Sequence, residues 1–355
     1  MHIVTFLYRK PFPPRYGILL SNDKIVDLQE LLRLFFVEEY DMTLENAYTL
    51  TESLFSTRSR NALQRILAFR DIIEKALSKL CPKNSCYDSK IVRDVNEIRF
   101  LPPVYDPSKI IGIGLNYEEY HLMLRYPKPE VPLFFFKPVN TLIGHREKVV
   151  IPRGGKWPGT FSKIVFHEYE LAVIIGKRAK FIDKSNALDY VYGFTIFSDI
   201  TAHDIEMIQP GYVLYQQRAK AFDTFSPMGP WIVTKDELIS KGIDIYNLKI
   251  MRRRNGVIEG ESNTKNMIFK IEEILEFLSE IMTLEPGDVI SLGKLSELSC
   301  SRILVNVYRV PGYDYYFVVA LTYGREVDKF IKQLIVNDYY LRKSKIVKIR
   351  VQIVK

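Results

Sequence analysis

The chain has 355 residues, 47% of them hydrophobic and 13% aromatic, which excludes a disordered or low-complexity protein and fits either one large domain or a small domain joined to a larger one. Its 50 basic and 42 acidic residues leave a net charge of +8 spread along the whole chain, a balance that suits small anionic ligands better than nucleic acid. No apolar run approaches transmembrane length and the first ten residues lack a signal-peptide core, so the expected compartment is the cytoplasm, with no membrane partner.

Residues 3–8, 16–20 and 24–27 are short β-rich runs, the last two joined by Ser21-Asn22-Asp23, and predict a small meander. From Leu28 to Leu80 the apolar residues recur three and four apart, among them Leu31, Leu34, Phe35, Leu63, Ile66, Ile73 and Leu77, and predict several helices. The run Cys81-Pro82-Lys83-Asn84-Ser85 ends them. Leu101-Pro102-Pro103 and Asp106-Pro107 then mark a boundary. Cys81, Cys86 and Cys300 have neither metal spacing nor the density of a disulfide framework, and read as structural thiols in a reducing interior; a Cys81–Cys86 bridge is the alternative.

Beyond the boundary, Lys109 to Tyr117 predicts a buried strand. Its Gly112 and Gly114 do not make a dinucleotide fingerprint, because the third glycine and the following helix pattern are missing. Leu133 to Phe136 is a second buried strand, ending in Lys137. Residues 153–162 have loop chemistry. Phe166 to Gly176 predicts a strand that enters the core, and Ser185 to Gly193 a short helix before a return strand that ends at Asp199. A hairpin is expected around Asn255-Gly256, a helix over Ile271–Ile281, and turn plus strand over Leu284–Gly293. The tail reads as helix (Val327–Ile335) and a basic alternating strand (Lys343–Lys355).

Side chains alternate along a strand, so Glu168 and Glu170 share a face about 7 Å apart. Two like charges at the mouth of a core need a proton, a basic partner or a metal ion. With Asp199 they offer hard oxygen donors, which suit Mg²⁺, or Mn²⁺ or Ca²⁺, better than zinc. The plainer reading is a solvated acidic strand end.

Seven ordered blocks go further: Lys109-Ile-Ile-Gly-Ile-Gly-Leu-Asn-Tyr117, Phe-Phe-Lys137-Pro, Glu168-Tyr-Glu170-Leu-Ala-Val-Ile-Ile-Gly, Phe-Ser-Asp199-Ile-Thr-Ala-His-Asp204, Lys220-Ala-Phe-Asp-Thr-Phe-Ser-Pro-Met-Gly-Pro230, Asn263-Thr-Lys-Asn-Met-Ile-Phe269 and Met282-Thr-Leu-Glu-Pro-Gly-Asp-Val-Ile290. Over residues 105 to 293 the chain resembles the fumarylacetoacetate hydrolase (FAH) family. The resemblance implies an α+β, β-rich protein with a mixed β-roll or β-sandwich catalytic domain (105–323), a smaller N-terminal domain (1–104) and a helix-strand extension (324–355), assembled as a homodimer. It also implies a metal held by Glu168, Glu170 and Asp199 and a small 2-oxo or 2,4-dioxo acid substrate. Lys137, Lys220, His121 and Glu119 would be catalytic. Asn116, Tyr117, Asp204, Thr264 and Lys294 would bind substrate. The implied reaction is hydrolysis of an acylpyruvate-like C–C bond, with isomerisation, dehydration or oxaloacetate decarboxylation as alternatives.

Three departures qualify this pattern. The family places a histidine four residues after the asparagine and a glutamate three further on; here His121 is five residues after Asn116 and position 124 is Leu, so the candidate substitutes are Glu118, Glu119, and His121 itself after a one-residue shift. Gly293-Lys294-Leu295 stands where Gly-Thr-Pro is usual. His203 replaces an arginine and is expected to be structural. The competing class is a nucleic-acid or anion-binding protein on the same fold, drawn from Arg252-Arg253-Arg254 and the basic tail strand, features that a solvated hairpin and a lysine-protected edge explain equally.

Overall fold

A computed structural model of the chain describes residues 1–8, 13–21, 23–57, 61–82, 86, 88–119, 127–157, 160–162, 165–206, 214–293, 304–309, 315–321 and 348–354, the last three stretches as backbone. The meander forms as β1 (His2–Leu7), β2 (Arg15–Ser21) and β3 (Lys24–Asp27), followed by helices α1 (Leu28–Tyr40), α2 (Leu44–Phe55), α3 (Ala62–Ala68) and α4 (Arg70–Leu80). Asp27 caps α1 by accepting from the Glu30 N–H, and Thr43 caps α2 by accepting from that of Asn46, which satisfies backbone donors that a helix start leaves open. Cys81, at the end of α4, is bonded to Cys86 as a disulfide, which corrects the reading of both as free thiols.

Two three-residue strands without a clear sequence signature follow, β4 (Val92–Asp94) and β5 (Arg99–Leu101), then β6 (Ile110–Gly114), β7 (Leu133–Lys137) and β8 (Leu142–Ile143). The central pair is β9 (Val165–Ile175) and β10 (Val191–Ala202). After them come α5 (His203–Glu206), α6 (Leu214–Ala219), β11 (Ser226–Pro227), β12 (Ile232–Thr234), α7 (Lys235–Ser240), the hairpin β13 (Lys249–Arg254) and β14 (Val257–Asn263), α8 (Ile271–Ile281) and β15 (Val289–Ser291). The helix expected over 185–193 is only a 3₁₀ turn, Ala187–Tyr190.

Eleven strands make one mixed sheet in the order β4-β3-β2-β1-β12-β10-β9-β15-β6-β7, with β5 paired to β1. Only β15 and β6 run parallel within it; the other pairs are antiparallel. The boundary expected at 104/105 falls between β5 and β6, and the sheet runs across it through β1 and β12. Alternation along the central strands serves two cores. Ile110, Ala172, Ile174 and Val289 join the cluster that holds Leu31, Leu32 and Phe35 of α1. Ile111, Val173, Ile175 and Ile290 pack with Ile274, Leu275 and Leu278 of α8 on the other face. Each such aliphatic side chain contributes about 1.5–3 kcal/mol on burial.

Three further strands, β16 (Leu304–Arg309), β17 (Tyr315–Leu321) and β18 (Lys348–Val354), form their own sheet, which groups β16 and β17 with the tail strand rather than with the main sheet. The helix expected at Val327–Ile335 lies outside the described residues. No helix among those described is long and apolar enough to cross a membrane.

Candidate active site

The two longest strands build the site. In the β9/β10 register Asp199 lies opposite Glu168 and Phe197 opposite Glu170, and opposed residues of an antiparallel pair point to the same face. That face is the one carrying Ala172 and Ile174 deeper in the core. The three carboxylates therefore gather where the apolar cluster ends, with oxygens of all three within 4.8 Å of one another. They are 8%, 3% and 1% exposed for Glu168, Glu170 and Asp199, so the solvated strand end is ruled out.

Two lysines face the acids, both buried. Lys137, the last residue of β7, donates to Asp199 Oδ1 at 2.6 Å and to the Ile200 carbonyl at 3.1 Å. Lys220, just after α6, bonds the other oxygen of Asp199, donates to Thr201 Oγ1 at 2.8 Å and lies 3.7 Å from Glu168 Oε2. Its Nζ also sits 4.6 Å from the centroid of the Phe135 ring, within cation–π range. Glu170 is held differently. Ser291 Oγ and the Gly293 N–H, at 3.1 Å, donate to its Oε2. Gly293 reaches it with φ +98°, and a Cβ there would lie 3.0 Å from that of Asn116.

Electrostatics follow from this layout. Burial alone would raise Asp199, but the ammoniums of Lys137 and Lys220 outweigh it and hold the carboxyl below its ordinary value. Burial lowers Lys137, with Asp199 opposing the change. Glu170 is raised to about 8, by burial first and then by the charge of Asp199, the Ser291 hydrogen bond only partly opposing it. Three carboxylates against two ammoniums leave one negative charge in excess. A buried site in that state keeps a proton or takes a cation, and the oxygen-only donor set fits a divalent one.

The other expected residues are distributed around this centre. Asn116 is buried, its amide donating to the carbonyls of Leu292 (2.9 Å) and Phe269 (3.3 Å) and accepting from the Phe269 N–H (2.9 Å). That side chain fastens the turn after β6 to the segment just before α8 and to the end of β15. Thr264 is likewise taken up by backbone, its Oγ1 accepting from the Leu248 N–H at 2.8 Å. Asp204 accepts from Ser162 Oγ. Tyr117 is buried, with no partner for its hydroxyl among the described residues. Glu119 Oε1 accepts from Ser262 Oγ at 2.8 Å and from Asn266 Nδ2, whereas Glu118 turns outward to Lys128 at 2.7 Å. His203 packs against Phe166, the rings tilted and their centroids 5.0 Å apart. His121 and Lys294 lie outside the described residues.

Sequence reading missed several contributors: Ser291, Thr201, Phe135, Ser262 and Asn266. Ser291 had a signal, a lone hydroxyl in an otherwise apolar strand. Arg252, offered for nucleic acid, donates through Nη1 to the His167 carbonyl at 2.8 Å and braces β9 next to Glu168.

Fold and site together define an enzyme built on a mixed sheet, with a buried carboxylate centre able to hold a divalent cation. The description "Fumarylacetoacetate (FAA) hydrolase C-terminal" matches residues 109–304, more than half of the sequence, and the chain belongs to the fumarylacetoacetate hydrolase family. An uncharacterized protein of Methanocaldococcus jannaschii is 45% identical over 187 residues, 53% of this chain and 71% of that protein. The mitochondrial oxaloacetate tautomerase FAHD2A of Bos taurus is 38% identical over 200 residues, 56% of this chain and 59% of that one. Among solved structures, maleylpyruvate hydrolase from Sphingobium sp. SYK-6 in complex with manganese(II) ion and pyruvate is 25% identical, with a TM-score of 0.59 over 86% of this chain and 94% of that one.

Proposed function

We propose that the chain is a divalent-cation-dependent enzyme that enolises a small 2-oxo acid, with keto–enol tautomerisation of an oxaloacetate-like dicarboxylate as its reaction. The observation that carries this is the charge count of the buried centre. Three carboxylates and two ammoniums total one negative charge; one divalent cation reverses the sign, and one substrate carboxylate restores neutrality. Glu168, Glu170 and Asp199 hold the cation, Mg²⁺ or Mn²⁺, which supplies Lewis-acid polarisation of the 2-oxo group. Lys137 fixes Asp199. Lys220, bonded to Asp199 and near Glu168, sets positive charge beside the developing oxyanion in a site poor in water. Similarity to the bovine oxaloacetate tautomerase supports tautomerisation over the other outcomes of an enolised 2-oxo acid.

A second reading is C–C hydrolysis of an acylpyruvate, supported by the likeness to maleylpyruvate hydrolase. It shares the same charge development and adds an attacking water. A homodimer and a cytoplasmic location belong to the family reading and are proposed with it, as is a catalytic region from residue 105 that shares its sheet with the N-terminal region 1–104. The test is decay of the enol absorbance of oxaloacetate, alongside acylpyruvate cleavage, with purified protein in Mg²⁺, in Mn²⁺ and after chelation. Cation-dependent acceleration that disappears in Glu170→Gln is expected. Full activity in that variant would refute the metal assignment.

A further inference from the structure

Between β5 and the turn that follows β8 lies a cleft of about 360 Å³ that includes none of the residues of the carboxylate centre. One wall is Ile98, Arg99 and Phe100, from the N-terminal region; the other is the run 145–148. The volume falls within the range of small-molecule sites, about 300–1,000 Å³, and such sites favour seams of this kind between two regions of a fold.

The turn is set firmly on β5. A Cβ on Gly144 would lie 2.4 Å from the Phe100 carbonyl oxygen and 2.8 Å from Cα of Leu101, an approach that only glycine permits. The Glu147 N–H donates to the Gly144 carbonyl at 3.3 Å, and the Gly144 N–H donates to Glu147 Oε2 at 2.6 Å. Oε1 of the same carboxylate accepts from Arg99 Nε at 2.8 Å and from its Nη2. Glu147 thus cancels the charge of Arg99 and has both oxygens engaged. His145 packs edge-on against Phe100, ring centroids 5.5 Å apart; partial burial, and then the charge of Arg146, lower its pKa and leave it neutral at pH 7.

Two cations remain. Arg146 and Lys148 both line the cleft, and neither has an ion pair among the described residues. Arg146 also has φ +66° as the third residue of the turn, a position that such turns fill with glycine or asparagine. Turning the chain there needs no side chain at all. Arginine in left-handed backbone is therefore held at a cost, and what it adds over glycine is a guanidinium aimed into the cleft.

We propose that this cleft binds a small phosphate monoester, its phosphate on Arg146 and Lys148 and the rest of the molecule along Ile98 and Phe100. A phosphate monoester carries about two negative charges on one head, which match the two unpaired cations. Its three oxygens suit a planar fork taking two of them and a point charge facing the third. A single carboxylate would leave one cation unanswered. The site is independent of the enolising function proposed above and needs no divalent ion. Because the ligand touches both walls, its binding should stabilise the whole fold.

The experiment is calorimetric titration of the full chain in EDTA at fixed ionic strength, with AMP, inorganic phosphate and succinate as probes, paired with thermal unfolding in the same solutions. AMP is expected to bind most tightly and to raise the melting temperature, inorganic phosphate to bind more weakly, and succinate, a dianion without the phosphate head, at least about 10-fold more weakly than AMP. Arg146→Gly should weaken AMP by about 10-fold or more and Lys148→Gln by about 3-fold or more. Without ligand, Arg146→Gly should melt at or above the parent, since glycine suits the backbone there. AMP affinity within about 3-fold of the parent in both variants overturns the assignment. A change of more than about 3-fold in Glu170→Gln, in either direction, places the anion at the carboxylate centre and overturns it as well. Equal affinity for AMP and inorganic phosphate overturns the monoester in favour of free phosphate, and binding that does not saturate, or is matched by succinate, means an adventitious ion only.

Discussion

Phe135 occupies the space that a β-carbon on Gly112 would fill: built onto that glycine, a Cβ would lie 2.3 Å from Cζ of the ring. The two residues face each other across β6 and β7, and the same ring lies under the ammonium of Lys220. Gly112 therefore earns its place by letting an aromatic ring support a lysine of the site. Gly112→Ala is expected to push the ring away, with a stability loss of about 1–3 kcal/mol and reduced turnover. Combining it with Phe135→Leu should recover most of the stability but not the turnover. Urea denaturation of the four proteins in a double-mutant cycle checks this; strictly additive losses would mean that the two positions act independently.

Asp199 and Glu170 are expected to respond oppositely to neutral isosteres. Asp199→Asn removes the anion that pairs two buried ammoniums, so a loss of about 3–5 kcal/mol is expected in the metal-free protein. Glu170→Gln replaces a carboxyl that already favours its protonated form, so metal-free stability should change little, or rise at alkaline pH, while Mn²⁺ affinity collapses. Thermal unfolding and calorimetric titration on both variants separate the two effects.

The pH dependence of metal-free stability follows from the same carboxyl. Glu170 has a folded pKa of about 8 against 4.5 for the free group, so between those values the native state holds a proton that the unfolded chain has released. Stability then falls as pH rises through this window. Asp199 has the opposite sign: its lowered pKa gives stability that is present above its free value of 3.8 and is lost as pH falls through the folded value. Mn²⁺ should stabilise more strongly at pH 8 than at pH 5, because binding at low pH must displace the Glu170 proton. Melting temperatures across pH, with and without Mn²⁺, check both signs. An increment from Mn²⁺ that is flat with pH would count against the Glu170 assignment.

The acidic centre was legible in sequence because its logic is periodic. Alternation puts Glu168 and Glu170 on one face, and an antiparallel return strand of matching length brings Asp199 across from Glu168. The helices of the N-terminal region were legible from their apolar spacing. The short strands β4, β5 and β12 were not, because three residues carry no period and their pairing is decided by distant partners such as His2 and Ile3 for β12. The outward turn of Glu118 and the inward turn of Glu119 were equally hidden. Adjacent residues of one type differ only in what they meet, here Lys128 for one and Ser262 with Asn266 for the other.

Cysteine chemistry offers a separate check. With Cys81 and Cys86 bonded, denatured but unreduced protein should titrate for one thiol, that of Cys300, and reduced protein for three. The bridge spans only five positions, so the loop-closure entropy it removes from the unfolded chain is small, at about 2 kcal/mol. Cys86→Ser should lower the unfolding midpoint modestly and leave turnover intact. Three reactive thiols before reduction would contradict the bridge.

The strand β12 pairs on one side with β1 and on the other with β10, the strand that carries Asp199. The match to the family description starts at residue 109, yet hydrogen bonding does not stop there. A fragment beginning at that point would expose β12 as a raw edge one strand away from the acidic centre, inviting strand-to-strand association between copies. The segment that the family description matches and the segment able to stand alone in solution are thus different lengths of chain. Recombining this N-terminal region with another family member's catalytic half would need a matched β1 edge rather than a flexible linker.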